Sequence, residues 1–131
     1  MENEAKRAKR GIIVAFSILV CILLIIAVIF CVYRARHTFS QEKWLSNAAE
    51  RYVIVDSMLE KHPLIGTSEA DVIALLGSED GGGQSSFKLS DEYFPPESTL
   101  VYYLGVEYMD DMWLVISTDG GIVTEYCIDV T

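Results

Sequence analysis

One stretch decides the architecture of this chain: IIVAFSILVCILLIIAVIFCVY, from Ile12 to Tyr33. Sixteen of its 22 residues are Ile, Val, Leu or Phe, and none is charged. As a helix rising about 1.5 Å per residue it would span roughly 33 Å, which matches a bilayer hydrocarbon core of about 30 Å. At about −0.3 to −0.6 kcal/mol per apolar residue, its insertion is favoured by roughly 5 to 10 kcal/mol. The stretch therefore predicts one transmembrane helix over residues 11–33.

A cleavable signal peptide is the main alternative, because the basic segment MENEAKRAKR precedes the apolar stretch. The apolar part of a signal peptide usually has about 7 to 15 residues and ends at a small-x-small cleavage site. Here the stretch is longer and ends in Tyr33-Arg34-Ala35, which puts a bulky residue at the −3 position. The sequence therefore favours a permanent anchor, with membrane lipid as its first partner.

Basic residues flank the anchor on both sides and predict its orientation. Six lie at the membrane boundaries: Lys6, Arg7, Lys9, Arg10, Arg34 and Arg36. Four of them crowd into the short tail of residues 1–10, and dense basic tails are retained in the cytoplasm. We therefore expect a cytoplasmic tail at 1–10, a juxtamembrane linker at 34–39 and an extracytoplasmic domain at 40–131.

The residues after the anchor are sufficient for one small acidic domain. From residue 34 onward there are 17 Asp and Glu against 6 Lys and Arg, a net charge of −11. Such a charge makes nucleic acid an improbable ligand. Cys127 is the only cysteine in this part, so no disulfide can form within the domain and the fold must depend on its hydrophobic core.

Two amphipathic helices are predicted next. Apolar residues recur at three- and four-residue steps from Gln41 to Lys61, with Ser40 as a candidate N-cap, and Pro63 would end that helix. A second helix is expected between Thr67, as its N-cap, and Gly77, which would stop it.

The rest of the chain predicts a long loop followed by β-structure. Residues 77–98 are rich in glycine and polar residues, which indicates a flexible loop with one short strand near 86–89. Segments 99–104, 112–117 and 122–129 have the composition of strands, with a loose connection at 105–111 and a tight turn at 119–121. The expected fold class is α+β: a transmembrane helix, then two helices with a three-stranded antiparallel meander.

The second helix carries a pattern of the form Leu-x-Gly-x-Thr-x-x-x-Val-x-x-Leu-Leu-Gly, with the Thr one step early. It falls on Leu64, Gly66, Thr67, Val72, Leu75, Leu76 and Gly77, and is followed by Tyr-Tyr-Leu-Gly at 102–105 and a terminal hairpin at 113–123. In these features the chain resembles the SmpA/OmlA, or BamE-like, domain family, in a form similar to membrane-anchored envelope proteins of Gram-positive bacteria. The resemblance implies a protein-binding α+β domain, related in shape to β-lactamase-inhibitor modules and without catalysis. Gram-negative members are typically lipoproteins, whereas this chain has a transmembrane anchor and a longer loop.

Residues suited to catalysis or metal binding are sparse in the sequence. His37 and His62 have no second His or Cys at metal-ligand spacing, and no hydrolase, metalloprotease or phosphate-loop motif is present. The pairs at 91–92 and 110–111 lack the alternating oxygen ligands of a calcium loop. The sequence predicts no catalytic residue, metal or cofactor, so we do not expect an enzyme.

The strand pattern supplies a functional hypothesis. Successive strand residues point to opposite faces, and two helices can cover only one face. Tyr103, Trp113 and Val115 would then lie on the other face and form a candidate protein-binding surface. The equal alternative is that loop 77–98 covers this face. The leading hypothesis is a membrane-anchored protein-interaction module, perhaps serving an envelope complex, and the second is an inhibitor of an extracytoplasmic hydrolase.

Overall fold

A computed structural model describes residues 1–80, 87–89 and 92–130. The chain forms two compact units, Met1–Arg36 and His37–Thr131. Helix α1 runs from Glu2 to His37 and has no buried residue. It is long and apolar enough to cross a membrane, as predicted.

Helix α1 extends beyond the predicted span at both ends. The basic tail is helical, and the Lys6 ammonium lies 2.7 Å from the Glu2 carboxylate one turn away. At the other end the helix includes most of the predicted 34–39 linker, and the Arg34 guanidinium lies 5.9 Å from the centre of the Phe30 ring. Both sets of boundary cations therefore stand on one continuous helix.

The predicted helix over 41–61 is wrong as a single element. The chain forms helix α2 (Gln41–Ser46), a 3₁₀ segment (Ala48–Val53) and helix α3 (Val55–Lys61). Ser40 caps α2 as expected, accepting from the Lys43 N–H at 3.3 Å. Asn47 then adopts extended backbone angles, and its side chain accepts from the Ala49 N–H at 3.2 Å. This local bond competes with α-helical bonding and restarts the chain as a 3₁₀ turn.

Helix α4 (Glu69–Leu76) occupies the predicted place but has a different cap. The Ser68 hydroxyl accepts from the Asp71 N–H at 3.1 Å, so Ser68 is the N-cap. The expected cap, Thr67, instead donates its hydroxyl to the Pro63 carbonyl at 3.1 Å and closes the preceding turn. Gly77 ends the helix with a φ of 82°, a conformation that favours glycine.

The predicted loop 77–98 contains ordered elements. Strands β1 (Phe87–Leu89) and β2 (Glu92–Phe94) pair antiparallel, and a 3₁₀ turn follows at Pro96–Ser98. Strand β1 coincides with the expected short strand, whereas its pairing with β2 was not predicted. The flexibility predicted for this loop concerns partly residues 81–86 and 90–91, which lie outside the described residues.

The meander is confirmed as an antiparallel sheet with the order β3-β4-β5. The strands are longer than predicted: β3 is Thr99–Glu107, β4 is Asp110–Asp119 and β5 is Ile122–Val130. The connection expected to be loose at 105–111 is therefore a two-residue turn. Leu104 is an extra residue in the β3–β4 ladder, since Tyr103 pairs with Trp113 and Gly105 with Met112.

Gly105 allows the 3₁₀ segment to pack directly on β3. A Cβ atom there would lie 2.4 Å from the Ala49 carbonyl oxygen, and its φ of 130° also disfavours other residues. The side chains beneath this contact form one hydrophobic core between the helices and one face of the sheet. Its fully buried members include Trp44, Met58, Leu64, Val72, Leu76, Tyr102, Leu104, Leu114, Ile116 and Val123.

A buried cation links the broken helix to the sheet. Arg51 is only 6% exposed, and its guanidinium lies 4.9 Å from the centre of the Trp44 ring. Its Nε donates to the Trp44 carbonyl at 2.8 Å, and its Nη1 donates to the Asp80 carboxylate at 2.5 Å and to the Tyr103 carbonyl at 3.1 Å. Trp44 also donates its indole N–H to the Leu76 carbonyl at 3.1 Å, so α2 holds the end of α4.

Arg51→Met should therefore destabilise the domain strongly. It removes the donor to three acceptors and leaves the Asp80 carboxylate without its partner, which should lower the free energy of unfolding by about 3 kcal/mol. Urea denaturation of the full chain in detergent can be followed by tryptophan fluorescence, since both tryptophans, Trp44 and Trp113, lie in the domain. Lys43→Met, at an exposed position, should cost about 0.5 kcal/mol. Equal losses in the two variants would contradict the role given to Arg51.

Candidate protein-interaction site

The predicted surface of Tyr103, Trp113 and Val115 forms a contiguous set on the sheet face opposite the main core. Tyr103 pairs with Trp113 across the ladder, and their rings meet edge to face with centroids 5.1 Å apart. Both residues are partly buried, but Val115 is only 1% exposed and forms a second small core with Val101. A partner could therefore reach the two aromatic side chains but not Val115. Residues 81–86 and 90–91 of the loop expected to cover this face lie outside the described residues.

Tyr103 is also tied to the acidic pair near the β3–β4 turn. Its hydroxyl donates to the Asp111 carboxylate at 3.2 Å. Desolvation, and then the bond to Asp111 and its charge, raise the pKa of Tyr103 above its ordinary value. The phenol therefore remains neutral and keeps donating throughout the physiological pH range.

The outer edge of β3 is closed by side chains and by one backbone group. Val101 donates its N–H to the Glu79 carboxylate at 3.0 Å and accepts from the Asp80 N–H at 2.8 Å. Tyr103 donates its N–H to the Asp80 carboxylate at 3.0 Å and accepts from Arg51 at 3.1 Å. Unpaired strand edges are templates for pairing with other chains, and these four bonds remove that possibility along β3.

The beginning of β5 is closed by the turn that precedes α4. The Gly66 N–H donates to the Val123 carbonyl at 2.8 Å, and the Val123 N–H donates to the Thr67 carbonyl at 2.9 Å. One turn further, the Glu69 N–H donates to the Gly121 carbonyl at 2.8 Å. Gly66 has a φ of 84°, which lets this turn run alongside the strand.

The residues that carry the family resemblance thus have structural roles. Two are the positive-φ glycines, one closes the turn, and the others are buried or packed against the core: Leu64, Gly66, Thr67, Val72, Leu75, Leu76 and Gly77. They position the start of β5 against α4 and form no binding surface of their own.

The remainder of β5 is open. Tyr126, Ile128 and Val130 pair with Ile116, Leu114 and Met112 and so face the same side as the core. Yet they are 38%, 38% and 41% exposed. Strand β5 is the last strand of the sheet, and among the described residues no segment pairs with its free side beyond Val123. We refer to this segment, Tyr126–Val130, as the open β5 edge.

The β3–β4 turn is a second exposed apolar feature. Tyr108 and Met109 are 96% and 93% exposed, and Val106 on the adjoining strand is half-exposed. Tyr108 has a φ of 58°, a conformation that hairpin turns normally give to Gly, Asn or Asp. A bulky residue in this conformation costs about 1 to 2 kcal/mol, and here no packing within the chain compensates it. We refer to these three residues as the turn tip.

A shallow cleft of about 340 Å³ lies between the end of α3 and helix α4. His62, at its rim, packs its ring edge to face against Phe39 at 5.4 Å, and the Asp71 carboxylate accepts from the Ser68 hydroxyl at 2.7 Å. Within the described ranges, no group of three His, Cys, Asp or Glu side chains could hold a metal ion. The polar groups around the cleft therefore serve helix capping and packing.

Sequence reasoning missed both the open β5 edge and the turn tip. For the tip a signal was present, because Tyr-Met is an unusual pair for a turn flanked by Glu107 and Asp110. For the edge, apolar residues on β5 indicated a buried face, but nothing in the sequence showed that the helices leave this strand uncovered.

No protein-family model, curated protein or solved structure matches this chain. The exposed features of the domain are therefore what supports a functional proposal.

The closed β3 edge also affects the protonation of a core tyrosine. Tyr102 is fully buried and donates its hydroxyl to the Gly77 carbonyl at 2.9 Å. Burial, followed by the negative charges of Glu79 and Asp80, raises the pKa of Tyr102 well above its ordinary value of 10.0. Folding therefore favours the neutral phenol.

This shift predicts a loss of stability in alkali. Below about pH 10 Tyr102 is protonated in both the folded and the unfolded state, so its contribution is fully present. Above that pH the unfolded state releases the proton and the folded state keeps it, so the free energy of unfolding should fall by up to about 1.4 kcal/mol per pH unit.

Tyr102→Phe should flatten this alkaline slope, although loss of the bond to Gly77 should cost about 1 kcal/mol at neutral pH. The measurement is the urea midpoint of the full chain between about pH 8 and pH 11. The matched control is Tyr108→Phe, at an exposed phenol, which should keep the slope of the parent chain. An unchanged slope in Tyr102→Phe would show that another group causes the alkaline loss.

Proposed function

We propose that this chain is a single-pass membrane protein that presents residues 37–131 outside the cell membrane as a protein-interaction module. The length and apolar composition of α1 support the anchor. The dense basic tail of residues 1–10 supports a cytoplasmic N-terminus. The net charge of the domain keeps it soluble and away from anionic lipid headgroups.

The turn tip carries the proposal of protein binding. Its side chains are almost fully exposed although the domain buries a compact core nearby. Tyr and Met are enriched where proteins bind one another, and exposed apolar groups gain free energy when a partner removes them from water. Backbone strain that no internal packing offsets is typical of functional sites. The conformation of Tyr108 therefore supports an external partner for the turn tip.

We also propose kinship with the SmpA/OmlA, or BamE-like, domains, in a membrane-anchored form that serves as an accessory of an envelope complex. The support is the role of the shared residues: Gly66 and Gly77 take positive-φ positions, and Leu64, Val72 and Leu76 are buried. A fold shared on this basis does not specify a partner.

The shape of the turn tip favours one further candidate function, inhibition of an extracytoplasmic hydrolase. A two-residue turn is narrow, and Tyr108 and Met109 project from it with almost no cover, as a wedge entering an enzyme cleft would. Capture of a hydrolase with loss of its activity would select this function, and capture without such loss would select the accessory role.

The proposed orientation predicts that protease added to intact cells removes the domain. An epitope tag at the C-terminus should disappear while a tag at the N-terminus remains protected until the cells are permeabilised. A cytoplasmic marker protein must survive the same treatment. Protection of the C-terminal tag in intact cells would reverse the proposed orientation.

Protein binding by the turn tip predicts site-specific crosslinking in native membranes. A photo-crosslinking amino acid at Met109 should give a discrete adduct, whereas the same group at Glu60, exposed on α3, should not. Tyr108→Asn removes the aromatic side chain and tolerates the left-handed conformation, so it should preserve folding. A central interface aromatic contributes about 2 kcal/mol, so adduct yield at limiting partner should fall about tenfold or more in this variant. Equal adducts from Met109 and Glu60, or an adduct insensitive to Tyr108→Asn, would contradict the proposal.

A further inference from the structure

We propose that the open β5 edge binds an extended segment of a partner protein in which apolar residues alternate with Lys or Arg. The segment would add a fourth strand to the β3-β4-β5 sheet. This inference rests on the proposed function, because it names a binding surface and the chemistry of the partner that such a module would take.

The first support is the contrast between the protected and unprotected parts of the sheet edges. Glu79, Asp80 and Arg51 occupy the free backbone groups of β3, and the turn at Gly66–Glu69 occupies those at the beginning of β5. The isolated bridge between Ser68 and Ile122 marks the end of this protection. Within the part of the chain that the structure describes, nothing continues it along 126–130.

The second support is the backbone of the open β5 edge itself. In an antiparallel sheet every second residue of an edge strand directs its N–H and C=O away from the neighbouring strand. An extended peptide can satisfy these groups and gain affinity from main-chain bonds, while its alternate side chains determine specificity. Strand β5 pairs with β4 as far as Val130, so its backbone is already held straight for such an addition.

The third support is the side-chain pattern on the two faces. Tyr126, Ile128 and Val130 present partly exposed apolar groups on the core side. Glu125 and Cys127 are exposed on the other side. One set of residues in an added strand would therefore extend the apolar face, and the other set would lie beside Glu125.

Charge selects the second set. Residues 37–131 contain 17 Asp and Glu against 4 Lys and Arg, a difference of 13 negative charges. A cation opposite Glu125 forms a favourable cross-strand pair, whereas an acid there is destabilising. The charge of the whole domain also attracts basic segments and repels acidic ones before contact.

The same charges disfavour a second copy of this chain as the occupant. Antiparallel pairing of two β5 strands about Cys127 would place Glu125 of one copy opposite Asp129 of the other. Two domains of high negative charge would also repel each other at moderate ionic strength. The charge of the domain therefore points to a basic partner segment.

The test uses the full-length chain in lipid nanodiscs and a fluorescent synthetic peptide of alternating Val and Lys with blocked ends. We expect saturable binding of this peptide and none of a Val-Glu peptide. We also expect at least tenfold weaker binding of a Val-Lys peptide in which the two residue types stand in blocks. N-methylation of alternate backbone amides gives two further probes. One set faces β5 and should abolish binding, and the other faces solvent and should leave it unchanged.

Variants of the protein complete the test. Ile128→Lys places a charge on the apolar side of the edge, a device that protects natural edge strands, and should weaken binding about tenfold or more. Glu125→Lys should weaken it about threefold to fivefold, whereas the matched change Glu60→Lys on α3 should leave it nearly unchanged. Tryptophan fluorescence in urea must show that each variant retains the folded domain.

Several results would overturn the inference. These are no saturable binding of the Val-Lys peptide, equal binding of the two N-methylated peptides, equal binding of alternating and blocked peptides, or self-association of the chain that Ile128→Lys abolishes. The proposed function has its own readout in the adduct formed from Met109. If that adduct forms and the peptide fails, only the β5 inference falls; if neither occurs, the interaction module as a whole is rejected.

Discussion

The buried guanidinium of Arg51 is the interaction on which the rest of the domain depends. A charge in this environment must be fully paired, and its partners come from three parts of the chain: the end of α2, the segment after α4, and strand β3. To reach them, Arg51 occupies a 3₁₀ turn instead of continuing α2. The helix break, the contact at Gly105 and the closed edge of β3 are thus parts of one arrangement around a single cation.

The sequence predicts the elements of this fold better than their continuity. The apolar stretch at 12–33 and the three strands are recognisable because their patterns follow from local geometry and burial. The break after Ser46 is not, because apolar residues continue at helical spacing through it. Two of those residues, Leu45 and Tyr52, are in fact exposed. What interrupts the helix is the set of long-range acceptors that Arg51 finds in the folded domain, and spacing along the chain carries no record of them.

The candidate surfaces show the same division. Alternation along the strands correctly brings Tyr103, Trp113 and Val115 to one face, because side chains in a strand have a period of two. It does not reveal that Val115 is buried, or which strand has an unprotected side. Those properties depend on where the helices lie across the sheet and on the segments Glu79–Asp80 and Gly66–Glu69, which are distant in sequence from the strands they protect.

The unequal sides of the sheet give the domain a valence of one. With β3 sealed, a strand can be added only along β5, and the domain itself cannot serve as a link between two sheets. In an assembly built by strand addition, such a molecule ends the growing sheet. An anchored domain of this kind would therefore limit the size of whatever it joins, and the number of copies in the membrane would set the number of ends.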